Sequence, residues 1–147
     1  MGGIVCAVRG GPDSRPTINK AIELAKQNQL PLYFLYVVNI DFLDHTTRSR
    51  VQTITQQMEQ MGEFILLTAR AAANQKGIDA EGVIKHGNVT EEIGELCHEV
   101  GADYLVLGRP KFQAEDSLFS EELLAEFIER VELQTDARVV LSEADEA

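Results

Sequence analysis

Two cysteines, thirteen basic residues against twenty-four acidic ones, and no apolar run of membrane-spanning length are the scarcities that first bound this 147-residue chain. Cys6 and Cys97 stand in apolar contexts with no close spacing, which argues against a disulfide framework or a cysteine metal motif and suits buried thiols in a reducing compartment. The shortage of Lys and Arg leaves a net charge of −11, a field that repels nucleic acid and anionic membrane. No segment approaches the roughly 18 apolar residues of a spanning helix, and the opening MGGIVCAVRGG has too short an apolar run for a secretory signal. The expectation is a cytoplasmic protein. Repeats, low-complexity runs and linkers are absent too, so residues 1–147, 44% hydrophobic, read as one domain able to bury a core. Glycine is missing altogether after Gly108.

What is present alternates. Short apolar runs at Ile4 to Val8, Leu32 to Val38, Glu81 to Lys85, Tyr104 to Leu107 and Arg138 to Leu141 lack strict period-two patterning, as expected of strands buried on both faces of a parallel sheet. Between them, apolar residues recur at three and four over Arg15 to Asn28, Ser49 to Lys76, Thr90 to Val100 and Ser120 to Gln134. The second of these segments is expected to bury Val51, Ile54, Met58, Met61, Ile65 and Leu66. The fourth is expected to bury Leu123, Leu124, Phe127, Ile128 and Val131. A β-α-β-α-β-α-β-α-β order predicts an α/β, doubly wound, three-layer domain, a five-stranded parallel sheet with helices on both faces. Asp13 or Ser14 can cap the first helix, Thr90 opens the third and Gly101 closes it, and Asn39 to Arg48 forms a longer loop.

Candidate chemistry gathers where open α/β sheets bind ligands, at the carboxyl ends of strands. Arg9, after the first strand, and Arg109 and Lys111, after the fourth, form a basic cluster there, able to hold a small anion or to pair with Glu115, Asp116, Glu121 and Glu122. Ser120 is placed to cap the last helix, whose first-turn acids complement its dipole. The histidines, His45, His86 and His98, show no metal spacing, Gly10 and Gly11 form a turn without a phosphate-loop signature, and no nucleophile–base order stands out. Neither a catalytic set nor a metal site is expected.

The segments IVCAVRGGPDSRPTINKAIELAKQ, LYFLYVVN, VIKHGNVTEEIGELCHEVGADYLVLG and TDARVVLSE together resemble the universal stress protein family over nearly the whole chain. The resemblance implies an adenine nucleotide alpha hydrolase-like fold, commonly a dimer formed with the last strand, and a division between members that bind ATP or AMP and members that do not. Binding members carry an Asp at the end of the first strand and, after the fourth, a Gly, two residues, a Gly, nine residues, then Gly and Ser or Thr. Here Arg9 holds the place of the Asp and Gly108 alone matches. The second glycine falls on Lys111, and the final pair on Glu121 and Glu122, or on Phe119 and Ser120 if the loop is shorter by two. A carboxylate about 4 Å from a phosphate costs about 4 kcal/mol at an effective dielectric of 20, so such a loop disfavours ATP.

Two functions follow. The first is a non-catalytic stress-response or regulatory module without cofactor, binding an unidentified protein partner and forming a homodimer through Arg138, Val139, Val140 and Leu141. The alternative is a modified cleft that takes ATP, AMP or another small anion, lined by Val8, Arg9, Val38, Gly108, Arg109, Pro110 and Lys111, with Ser120 as a further binding candidate. A flavodoxin-like reading shares the topology but has no cofactor loop.

Overall fold

The computed structural model describes residues 2–9, 14–39, 47–108, 121–135 and 137–142, with residues 14 and 121–124 described in backbone only. In chain order the elements are β1 (Ile4–Ala7), α1 (Ser14–Asn28), β2 (Leu32–Val38), α2 (Arg48–Gln75), β3 (Ala80–His86), α3 (Val89–Val100), β4 (Tyr104–Gly108), α4 (Glu121–Gln134) and β5 (Arg138–Ser142). The strands pair in parallel in the order β3-β2-β1-β4-β5. The chain therefore winds outward from β1 through β2 to β3, returns to the other side of β1 as β4, and ends on β5. This reversal leaves a switch point between β1 and β4.

Alternation along each strand sends side chains to two separate cores. Ile4, Cys6, Phe34, Tyr36 and Val38 face α1 and α2, where Ile22, Ala25, Leu66, Ala69 and Ala73 meet them. Val5, Leu35, Leu105 and Leu107 face α3 and α4, against Ile93, Leu96, Phe127 and Val131. Both faces are apolar because both are covered, which is why the strands read as continuous runs. The expectation of burial on both faces fails at β3, an edge strand with Glu81, Gly82 and His86 exposed.

Helix α2 also departs from its expected face. Met61 is 57% exposed. Gly62 takes the buried position instead, and a Cβ there would stand 2.5 Å from the Tyr36 ring. With 3.6 residues per turn, Gly62, Leu66, Ala69 and Ala73 share the sheet-facing side, while Met61 is rotated away by about 100°. Small residues on that side let a 28-residue helix lie close to the sheet.

Helix α3 starts one residue earlier than expected and is capped by Asn88 rather than Thr90. The Glu91 N–H donates to Asn88 Oδ1 at 3.2 Å, and the Thr90 hydroxyl donates to the same oxygen at 2.7 Å. Gly101 ends the helix in the left-handed region, φ 62°. The expected Asp13 or Ser14 cap and most of the Asn39 to Arg48 loop lie outside the described residues and side chains.

Each free edge of the sheet opens with a charged side chain on its backbone. Arg70 of α2 donates from Nε to the Ala80 carbonyl at 2.9 Å, at the start of β3. On β5 the Arg138 N–H donates to the Asp103 carbonyl at 2.9 Å, so alternation turns the Val139 N–H outward, where Glu132 Oε2 accepts it at 3.1 Å. Among the described residues no helix is long and apolar enough to cross a membrane.

Candidate functional site

At the β1/β4 switch point, on the α3/α4 side of the sheet, lies a cleft of about 210 Å³. Its floor is made by Ala7 of β1, Leu35 and Val37 of β2, and Leu107 and Gly108 of β4. Val89 and Ile93 of α3 and Phe127 of α4 form the walls, and Val8 and Arg9 stand at the end of β1. The position follows from topology: β1 and β4 are neighbours whose connections leave in opposite directions, so no crossover covers their carboxyl ends. The cleft is hollow in part because Ala7 puts only a methyl group into it; Gly108 borders it with backbone, since a side chain there would point the other way, to α1.

Gly108 has a packing reason of its own. A Cβ at this position would lie 2.9 Å from the Thr17 hydroxyl of α1, which is 3% exposed. Close approach of α1 to β4 thus requires a glycine whether or not a phosphate ever sits there. The Cys6 thiol, under the same turn of α1, points at the Thr17 carbonyl with sulfur and oxygen 3.9 Å apart.

The electrostatics are spare. Arg9 is the one charged residue among the described lining, is exposed, and has no ion-pair partner among the described residues. The positive end of α3, whose first residue Val89 borders the cleft, is met by Glu91 and Glu92 in its own first turn and by the Asn88 side chain. That amino end is therefore served internally. Desolvation pushes both thiols up, Cys97 to about 12 and Cys6 further, so neither offers a thiolate near neutrality. Among the described residues no three His, Cys, Asp or Glu side chains group as a metal site would require.

Of the residues singled out from sequence, the structure brings Val8, Arg9 and Gly108 together at this cleft. Val38 is not among them: it is 1% exposed and belongs to the core under α1 and α2. The residue of β2 that reaches the cleft is its neighbour Val37, because one step along a strand changes the face. Arg109, Pro110, Lys111 and Ser120 lie outside the described residues, as do the acids Glu115 and Asp116. Sequence reasoning missed Ala7, Leu35, Tyr36, Val37, Val89, Ile93, Leu107 and Phe127. For Ile93 and Phe127 the helical periodicity marked a buried side, but nothing in the sequence said that this side opens into a hollow. Arg138, Val139, Val140 and Leu141 do form an edge strand, with Val139 to Leu141 half-buried.

Comparison with known proteins places these observations. A model of the universal stress protein family matches residues 1–141. A curated relative, universal stress protein YxiE of Bacillus subtilis, is 25% identical over 113 residues, covering 71% of this chain and 76% of its own. A solved universal stress protein in complex with cAMP is 20% identical with a TM-score of 0.70, covering 98% of both chains. A universal stress protein family member from Arabidopsis thaliana with AMP bound is 14% identical with a TM-score of 0.67, covering 99% of this chain and 94% of its own. At these identities the two solved structures speak for the fold alone.

Proposed function

Because this chain belongs to the universal stress protein family, we propose that it is a non-catalytic regulatory module of the cytoplasm whose cleft excludes ATP and takes a nucleoside monophosphate or an anion of that size. The observation that carries the reading is the cleft itself: about 210 Å³, apolar on floor and walls, with Arg9 at the rim as the one charged residue among the described lining. That volume lies below the roughly 300–1,000 Å³ of pockets for drug-sized ligands, so it suits a base with its sugar better than a triphosphate with its metal. An apolar slot with a cation at its rim, Arg9 among the described residues, suits a flat base and a phosphate. The AMP and cAMP of the two similar structures are ligands of this class.

Three features oppose ATP. The segment after Gly108 contains no further glycine to bring backbone amides against a polyphosphate. By the family spacing it puts Glu121 and Glu122, or Phe119 and Ser120 if the loop is shorter by two, where the pattern has Gly and Ser or Thr. The amino end of α3 is already met by its own acids. The module would act by changing what it touches, and its first partner is a second copy along β5, paired through the outward groups of Val139 and Leu141. Glu132 competes with this pairing for the Val139 N–H, so β5 pairing requires Glu132 to swing away.

Calorimetry and thermal shift with AMP, cAMP, ADP and ATP, each with and without Mg²⁺, test the reading. AMP or cAMP at about 100 times its Kd should stabilise the fold by about 2.7 kcal/mol. ATP with Mg²⁺ should give no shift and no phosphate release. A response to ATP stronger than to AMP would overturn the proposal, and silence towards every ligand at millimolar concentration would leave only the interaction module.

A further inference from the structure

The outward side of α2 differs from the rest of this acidic surface. Phe64, Leu67 and Met61 are 70%, 63% and 57% exposed, opposite the side that packs on the sheet. Gln57, Met61, Phe64, Thr68, Ala71 and Gln75 are all exposed and recur at steps of four, three, four, three and four, the spacing of a helix–helix seam. Past Arg50 the charged residues of α2 are Glu59, Glu63 and Arg70. They run down the flank towards β3, where His86 and Glu59 are 3.2 Å apart and Arg70 holds the Ala80 carbonyl. The seam is therefore free of charge for about 27 Å of helix, at about 1.5 Å per residue, in a chain of net charge −11.

We propose that this face is a homotypic contact, at which α2 of one copy lies antiparallel to α2 of another about a twofold axis passing beside residue 66. The sequence is self-complementary in that arrangement. Phe64 comes opposite the partner's Thr68, Met61 opposite the partner's Ala71, and Gln57 opposite the partner's Gln75, so each bulky side chain meets a small one and the amides meet each other. A parallel pairing would set Phe64 against the partner's Phe64 and leave the small residues facing across a gap.

Charge selects the occupant. Two bodies of net charge −11 repel wherever their acids face each other, and a neutral seam is where they approach without that cost. A basic partner would be drawn to the carboxylates elsewhere and gain little from an uncharged row. Depletion of charge with exposed Met and Phe is also the composition of interface cores. The seam is about 27 Å long and about 10 Å wide, so it offers roughly 270 Å² of projected area per copy. Stable interfaces bury about 800 Å² per partner, so this contact is weak and forms with rising concentration. It lies over β2 and β3, at the other end of the sheet from β5.

Sedimentation velocity on the full chain from micromolar to millimolar concentration, with Phe64→Glu beside it, reads the contact. The wild type should shift towards a larger species, and Phe64→Glu, with unchanged melting temperature, should weaken that shift about tenfold or more. Cysteine pairing reads its geometry. A mixture of Gln57→Cys and Gln75→Cys chains under mild oxidation should give chiefly the mixed disulfide, well above a Glu126→Cys control on α4. Identical behaviour of Phe64→Glu and wild type, predominance of 57–57 and 75–75 disulfides, or a monomer that instead sediments with phosphatidylcholine vesicles would each overturn the proposal.

Discussion

On the α1/α2 side of the sheet the Tyr36 ring lies so close to α2 that a Cβ at Gly62 would stand 2.5 Å from it. On the α3/α4 side, where Ala7 carries only a methyl group, about 210 Å³ is unfilled. The same strands supply both faces, and side chains adjacent in sequence are divided between them: those of Phe34 and Val38 to the packed face, those of Leu35 and Val37 to the hollow one. Small side chains thus serve opposite ends on the two faces. At Gly62, and at Gly108 beneath Thr17 of α1, they bring a helix in; at Ala7 they keep space open at the point where the topology leaves the sheet uncovered. The packed face carries stability, and the hollow face holds the space that the proposed ligand would fill.

The largest effect that could break this contrast is overpacking. Gly62→Val should cost about 2–3 kcal/mol in denaturant unfolding, the strain against Tyr36 outweighing any gain in helix propensity. A loss below about 0.5 kcal/mol would mean that the α2 face is as loose as the other. Ala7→Leu, which adds the same three carbons on the hollow side, should change stability by no more than about 1 kcal/mol yet abolish the thermal shift with AMP. If it destabilises as much as Gly62→Val, the cleft is not spare space. Arg9→Ala should weaken AMP or cAMP binding about tenfold, the loss of one charge-assisted contact, and leave adenosine binding and the melting temperature as they were. Smallest of all, Glu132→Ala should strengthen self-association along β5 by a few fold, the worth of one exposed hydrogen bond of about 0.5–1 kcal/mol, with no effect on ligand. Weaker self-association in that variant would show that Glu132 supports pairing.

The topology was legible because β-branched runs alternate with helical periodicity in the order that only a right-handed α/β sheet accommodates. Its ends were legible too, since Gly101 closes α3 in the left-handed conformation that its lack of a Cβ permits. Strand parity was not. Val37 and Val38 are chemically identical and both faces of β2 are covered, so no polar residue marks which of the two points to the cleft. Met61 illustrates a related failure: it extends an apolar row at helical spacing, yet a glycine beside it fits the Tyr36 ring and the row turns outward. Gly108 was legible as a residue that must be glycine, but the reason found for it, the Thr17 hydroxyl, belongs to an element 91 positions earlier in the chain. Volume is a property of several elements at once, and no single segment announces it.

The two side chains that lie across the rims of the sheet have a consequence for the company such a protein keeps. A cell under heat or oxidative load fills with half-unfolded chains whose bare strands add to any open sheet they meet. Here the first outward carbonyl of β3 and the first outward N–H of β5 are taken by Arg70 and Glu132, both borne on the helix that leads into the strand. A stray strand would have to displace a charge before it could begin to zip on. Edge-to-edge pairing at either rim is thereby disfavoured until Arg70 or Glu132 is displaced.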